Sequence, residues 1–213
     1  MLEKLPDVVG HALREQRAGI EKTVYRQLDL RAGTAAITLT SLAFADHAPI
    51  PALYTADGAG HSPPLAWSGV PVAARSLLLI VEDADAPTPQ PLVHAIAVEI
   101  SPHETGLSEG ALKSPDHEGE GVKTGRNSYL GKSWLPPDPP PGHGVHRYVF
   151  QIFALAEGEP FSGTPGRDAV VEALRDRALA SGCLIGTYER PDTAIKVGKG
   201  MTRDAAVGIE NMT

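Results

Sequence analysis

A single cysteine, Cys183, stands among the 213 residues, so no disulfide can form within the chain. Its neighbours in Ala180-Ser181-Gly182-Cys183-Leu184-Ile185 suit a buried structural thiol rather than a nucleophile. Long apolar runs are lacking too, and none approaches the roughly 20 residues that cross a bilayer. Positive charge is scarce: 19 Lys and Arg face 26 Asp and Glu, a net charge of −7, with no basic cluster interleaved with aromatics. That balance repels a phosphate backbone and argues against nucleic acid as a partner. Met1-Leu2-Glu3-Lys4-Leu5-Pro6 has no basic stretch leading into an apolar segment, so the expected location is cytoplasmic. No internal repeat is present.

What the chain does have is 22 glycines and 19 prolines, more than a helical bundle tolerates, which points to sheets and loops. Three apolar stretches read as core strands: Ser76 to Val81, Leu92 to Ile100, and Tyr148 to Leu155. Each is continuous rather than alternating, which fits strands covered on both faces. Ile37, Leu39 and Leu42, set among Thr38, Thr40 and Ser41, predict an earlier strand, and Leu65-Ala66-Trp67 a short one between turn clusters. Spacing of Val9, Leu13, Ile20 and Val24 predicts a helix from Asp7 to Tyr25. A second helix is expected over Asp168 to Ser181, stopped by Gly182, with a last short strand at Ile185 to Glu189. Between the second and third core strands, Ser101 to Gly144 is long and polar, ends in Leu135-Pro136-Pro137-Asp138-Pro139-Pro140-Pro141-Gly142, and reads as a wall of a site.

Ionisable residues interrupt or end the apolar strands. Asp83 and Asp85 follow the first, His94 lies inside the second, and His146 precedes the third. Buried carboxylates and imidazoles must be paired, so convergence of these side chains on one spot explains all four together. Singly, each has an ordinary structural role: Asp85-Ala86-Pro87 as a turn opener, His94 as a satisfied core histidine, His146 as a loop end. A metal-dependent hydrolase is a rival, since His61, His94, His143 and His146 join the two aspartates, but the spacing matches no metal motif. Gly125 to Ser133 has one residue too many for a phosphate-binding P-loop and runs into prolines instead of a helix. Gly-x-Ser-x-Gly is absent.

Asp83-Ala84-Asp85-Ala86-Pro87 resembles the Asp-Pro-Asp-Ala-Pro signature of the phosphatidylethanolamine-binding protein family, and Gly142-His143-Gly144-Val145-His146-Arg147-Tyr148 resembles its Gly-x-x-x-His-Arg-Tyr block. His94 falls in the strand between them, as the family's pocket histidine does. Leu39 to Phe44, Ser62 to Pro71 and Gly186-Thr187-Tyr188 add to a likeness that runs from about Ile37 to Arg190 and is nearest the bacterial, Raf-kinase-inhibitor-like branch.

The resemblance implies a mainly β fold: a large central sheet, mostly antiparallel, packed on a smaller sheet, with a C-terminal helix and here an extra N-terminal helix. It implies a domain over 36–190; the helical extension at 1–35, read from the spacing of its apolar residues, and the tail at 191–213 fall outside it. It also implies a surface pocket for a phosphate-like anion or phosphorylated headgroup, and no catalytic turnover, cofactor or metal. Carried onto this chain, Asp83 and Asp85 would line the pocket floor, His94 and His146 would donate to the anion, Tyr148 would be the pocket tyrosine, and Asp138 and Pro139 would lie in the segment whose backbone faces the anion. The Ala86–Pro87 bond is expected to be cis. Ala84 replaces the signature proline, Leu92 and Val93 stand where relatives place aromatics, and Asp138 puts an acid where a small residue is usual. The alternative function is a protein-interaction module that inhibits a kinase or protease, and the N-terminal helix could serve a homodimer.

Overall fold

The computed structural model describes residues 6–28, 35–113 and 122–190; the expected tail at 191–213 lies outside them. Among the described residues, ten strands form two sheets. They are β1 Ala35–Ala36, β2 Thr38–Thr40, β3 Ala48–Pro49, β4 Leu65–Ser68, β5 Ser76–Asp83, β6 Leu92–Ile100, β7 Gly106–Leu107, β8 Lys123–Thr124, β9 His146–Leu155 and β10 Ala178–Tyr188. The large sheet runs β1-β10-β9-β5-β6-β8, with β3 also on β10, and the small one β2-β4-β7. All pairings are antiparallel except β1 and β3 on β10.

The continuous apolar runs arise because both faces of the large sheet are covered. On one face Leu77, Leu79 and Val81 of β5 and Phe150 and Ile152 of β9 meet Leu39, Leu65, Trp67 and Leu107 of the small sheet. On the other, Leu78, Ile80, Phe153 and Leu155 pack under Val24, Val170 and Leu174 from helices α2 (Val24–Gln27) and α3 (Arg167–Arg177). Fully burying such a side chain contributes roughly 1.5–3 kcal/mol, so these two layers fix the strand order.

Two predicted helices differ in the structure. The N-terminal one breaks into α1 (Asp7–Leu13), an irregular strap, a 3-10 turn at Ile20–Lys22, and α2. Gly19 turns the chain with φ of 102°, and the strap donates from Ala18 N to Ala86 O and from Gly19 N to Ala84 O. α2 starts where buried Glu82, on β5, accepts from Val24 N at 2.8 Å, and the neighbouring Gln151 accepts from Tyr25 N at 2.6 Å. These side chains satisfy helix-end amides, and both come from the sheet. Arg167, at the start of α3, closes the group by donating to Glu82 at 2.7 Å.

The C-terminal helix stops at Arg177, and Ala178 opens an eleven-residue strand rather than a last helical turn. Pairing with β9 from Ala178↔Leu155 to Tyr188↔His146 outweighs the helical stripe. Gly182 is therefore not a helix stop: a Cβ there would lie 2.2 Å from Ile37 O, so its role is to let the chain before β2 pass close over β10. Cys183 sits in this strand, half-buried, not at a helix end. Leu42, expected inside, lies beyond the end of β2 and is 96% exposed. Among the described residues no helix is long and apolar enough to cross a membrane.

Candidate functional site

Register brings the predicted residues together. β5 lies between β6 and β9, and Asp83 at its end pairs with Leu92 on one side and Tyr148 on the other. Between Val81↔Ala95 and Glu82↔Val93 the ladder skips His94, so His94 is the extra residue of a β-bulge. Bulges re-aim side chains, and this one turns His94 into a pocket shared with Asp83, His146, Asp138 and Pro139, with about 40 Å³ of free space. From the long loop, Leu135, Pro136 and Pro140 complete one side, and exposed Tyr129 stands at the mouth.

Two predicted residues are placed otherwise. Asp85 points away from the pocket: its carboxylate accepts from Arg147 Nε and Nη2 at 2.7 Å each and from Arg147 N at 2.9 Å, and pairs with Arg17 at 3.1 Å. Burial alone would raise its pKa, but the hydrogen bonds and charge of Arg147 outweigh it and hold the carboxyl below the usual value. Asp85 thus clamps the turn, the start of β9 and the N-terminal strap. Tyr148 lies a layer below the opening, fully buried, its ring perpendicular to His94 with centroids 5.1 Å apart. The Ala86–Pro87 bond is trans, as are all peptide bonds among the described residues; the turn is closed instead by Asp85 N donating to Asp83 Oδ1 and Thr88 N to Ala86 O.

His146 differs from its expected part as a donor to the anion. Its Nδ1 donates to Asp83 Oδ2 at 2.8 Å, and its Nε2 lies 2.7 Å from Nδ1 of His143. His143 Nε2 faces two carbonyl oxygens, Leu13 O at 2.9 Å and Gln16 O at 3.2 Å, and must carry a proton to do so. A gap of 2.7 Å between the two remaining nitrogens holds a proton as well, since two lone pairs would repel there. Three protons on four nitrogens leave the two histidines sharing one positive charge, matched by Asp83. Burial, then the neighbouring His146, depress the pKa of His143. His143 escaped the sequence reading except as a rejected metal ligand. The signal was its position between Gly142 and Gly144, whose φ values of 77° and 96° aim it back under α1.

His94 is the opposite case. Its Nδ1 donates to Leu135 O at 2.6 Å, while Nε2 is buried with no partner, as is the hydroxyl of Tyr148. Burial lowers the pKa of His94 despite the nearby Asp83, and raises that of Tyr148 well above its ordinary value. Asp138 pairs with Arg190 at 2.8 Å, and Arg190 also holds Asp57. No group of three or more metal-ligating side chains placed to hold an ion occurs among the described residues.

Comparison with known proteins gives the following. The family model described as phosphatidylethanolamine-binding protein matches residues 40–189. A UPF0098 protein of Methanothermobacter thermautotrophicus is 38% identical over 158 residues, covering 72% of this chain and 99% of that one. Another from Chlamydia pneumoniae is 41% identical over 157 residues, 71% and 98% of the two chains. Among solved structures, a phosphatidylethanolamine-binding protein homolog from Chlamydia trachomatis is 36% identical, with a TM-score of 0.65 over 73% of this chain and 98% of that one. E. coli YbcL, described as a member of the mammalian family, is 27% identical with a TM-score of 0.67 over 73% and 99%. The strap and helices at 7–28 lie outside the family match.

Proposed function

This chain belongs to the phosphatidylethanolamine-binding protein family, a membership that supports a binding role, and from it we propose that the pocket over His94 binds a small phosphate-like anion or phosphorylated headgroup. The observation that carries the reading is the unpartnered, buried Nε2 of His94. A buried polar atom left without a hydrogen bond costs about 1–3 kcal/mol, and a ligand entering the pocket would recover it. The unpartnered hydroxyl of Tyr148 in the layer below supplies a second such group. Neither atom has a role in holding the fold together, unlike Asp85 or His146, whose polar atoms are all engaged.

The pocket is shallow in volume, about 40 Å³, which suits a single small group rather than a whole lipid. A chain of this net charge attracts no anion at long range, so affinity would rest on local hydrogen bonds. The arrangement supports binding without turnover: no serine, threonine or cysteine lines the pocket, and His146, its imidazole beside Asp83, has both nitrogens committed. The test is a phosphate or phosphoethanolamine titration followed by the ring signals of His94 in an NMR spectrum. A saturable shift that disappears in His94→Ala supports the site; an unchanged spectrum at millimolar ligand refutes it.

A further inference from the structure

We propose that the pocket takes its anion in a protonated form, so that a phosphate monoester bearing one P–OH binds in preference both to its own dianion and to a phosphodiester of equal charge. This rests on the anion-binding reading above and adds the ligand's protonation state and ester class to it.

Hydrogen-bond acceptors crowd the pocket lining. His94 Nδ1 faces a carbonyl oxygen, which can only accept, so the ring proton sits there. In the neutral ring, Nε2 is then a lone pair aimed at the pocket. Asp83 and Asp138 contribute carboxylate oxygens, acceptors again. His146 lines the wall with no N–H to offer, because Asp83 and His143 take both nitrogens. The proline wall deepens the deficit. Pro136, Pro139 and Pro140 have no N–H, and the Leu135 N–H already donates to His94 O. Among side chains, only the Tyr148 hydroxyl below and the Tyr129 phenol at the mouth stand against these acceptors, and the main chain of the lining adds N–H groups at Ala86 and Asp138. A fully ionised phosphate, which only accepts, would leave lone pair facing lone pair. A P–OH supplies the missing proton.

Charge gives the same answer. The shared proton of His143 and His146 offsets Asp83, and Arg190 must serve both Asp138 and Asp57, so the groups around the pocket sum to about one negative charge. A dianion enters that field less readily than a monoanion. Burial, the largest influence on His94, lowers its pKa and so favours the neutral ring, opposed by Asp83, the Leu135 carbonyl and Asp138 and assisted by His146. The alternative supply of the proton is therefore His94 itself, and the experiment must separate the two.

The full chain is titrated with methyl phosphate, dimethyl phosphate and difluoromethylphosphonate between pH 5 and 8, with the ¹⁵N shift of His94 Nε2 recorded free and bound. For methyl phosphate we expect affinity to fall about tenfold per pH unit above the ligand's second pKa of about 6. Dimethyl phosphate, with one negative charge and no O–H, should bind at least about tenfold more weakly and without that slope. Difluoromethylphosphonate, whose second ionisation is more acidic, should shift the midpoint down in step with its own pKa. Nε2 should keep its neutral-ring shift in the complex. Affinity that is flat or rises with pH, equal binding of the diester, or a bound His94 with the imidazolium shift would overturn the proposal while leaving the anion site intact. Failure of all three probes to bind would overturn both.

Discussion

Replacing Asp85 with asparagine tests whether this residue is the structural clamp its geometry indicates. The side chain is 2% exposed and accepts three hydrogen bonds from Arg147 besides its ion pair with Arg17. Removing one partner of a buried ion pair costs about 3–5 kcal/mol, but the side chains of Arg147 and Arg17 are 37% and 31% exposed and can turn to water. The lower end, about 3 kcal/mol, is the expected loss at pH 7. The pH dependence makes the test specific. Asp85 has a folded pKa depressed below its unfolded value of 3.8, so the unfolded chain binds its proton first as pH falls. Its contribution is complete above the unfolded pKa and is lost as pH drops through the folded one. The gap between wild type and Asp85→Asn, measured by urea unfolding, should hold near 3 kcal/mol from pH 7 to about 5 and close progressively below about 4. A gap under 1 kcal/mol at pH 7, or one that stays constant into acid, would refute the clamp.

Tyr148→Phe removes a buried hydroxyl that has no partner in the free protein, so thermal stability should be unchanged or rise by up to about 1 kcal/mol while anion affinity falls; a clear loss of stability would mean the hydroxyl is already satisfied. Arg167→Met strips the counter-charge from Glu82, a carboxylate with no exposure at all, and should cost about 3–5 kcal/mol in urea unfolding. An effect below 1 kcal/mol would show that Val24 N–H and Gln151 Nε2 suffice to hold it.

The large sheet was legible where two covered faces force an unbroken apolar run, as in β5, β6 and β9. Of β10 only the end, Ile185 to Tyr188, was legible, because Ala178 to Cys183 is built mostly of small residues and continues the helical stripe, and its place depends on how closely other backbone approaches it: Ile37 O lies where a Cβ of Gly182 would intrude. The N-terminal helix failed for a related reason. Of Val9, Leu13, Ile20 and Val24, only Val24 is buried, and the start of α2 is set by Glu82, 58 residues away. The site divides along the same line. Ionisable residues breaking apolar strands marked Asp83, His94 and His146 as neighbours, since strand register is local pattern extended across a sheet. Their functions are not local. Whether a histidine can donate to a ligand depends on who takes its other protons, and the takers here are the Leu135 carbonyl 41 residues from His94 and, through His143, the Leu13 carbonyl 130 residues away. Equivalent imidazoles in the sequence thus become a ring with both nitrogens engaged at His146 and one with an open Nε2 at His94. α1 and the N-terminal strap lie outside the family match, yet they supply the Leu13 and Gln16 carbonyls that fix the proton on His143. The strap therefore helps set the charge of the pocket wall without touching the pocket.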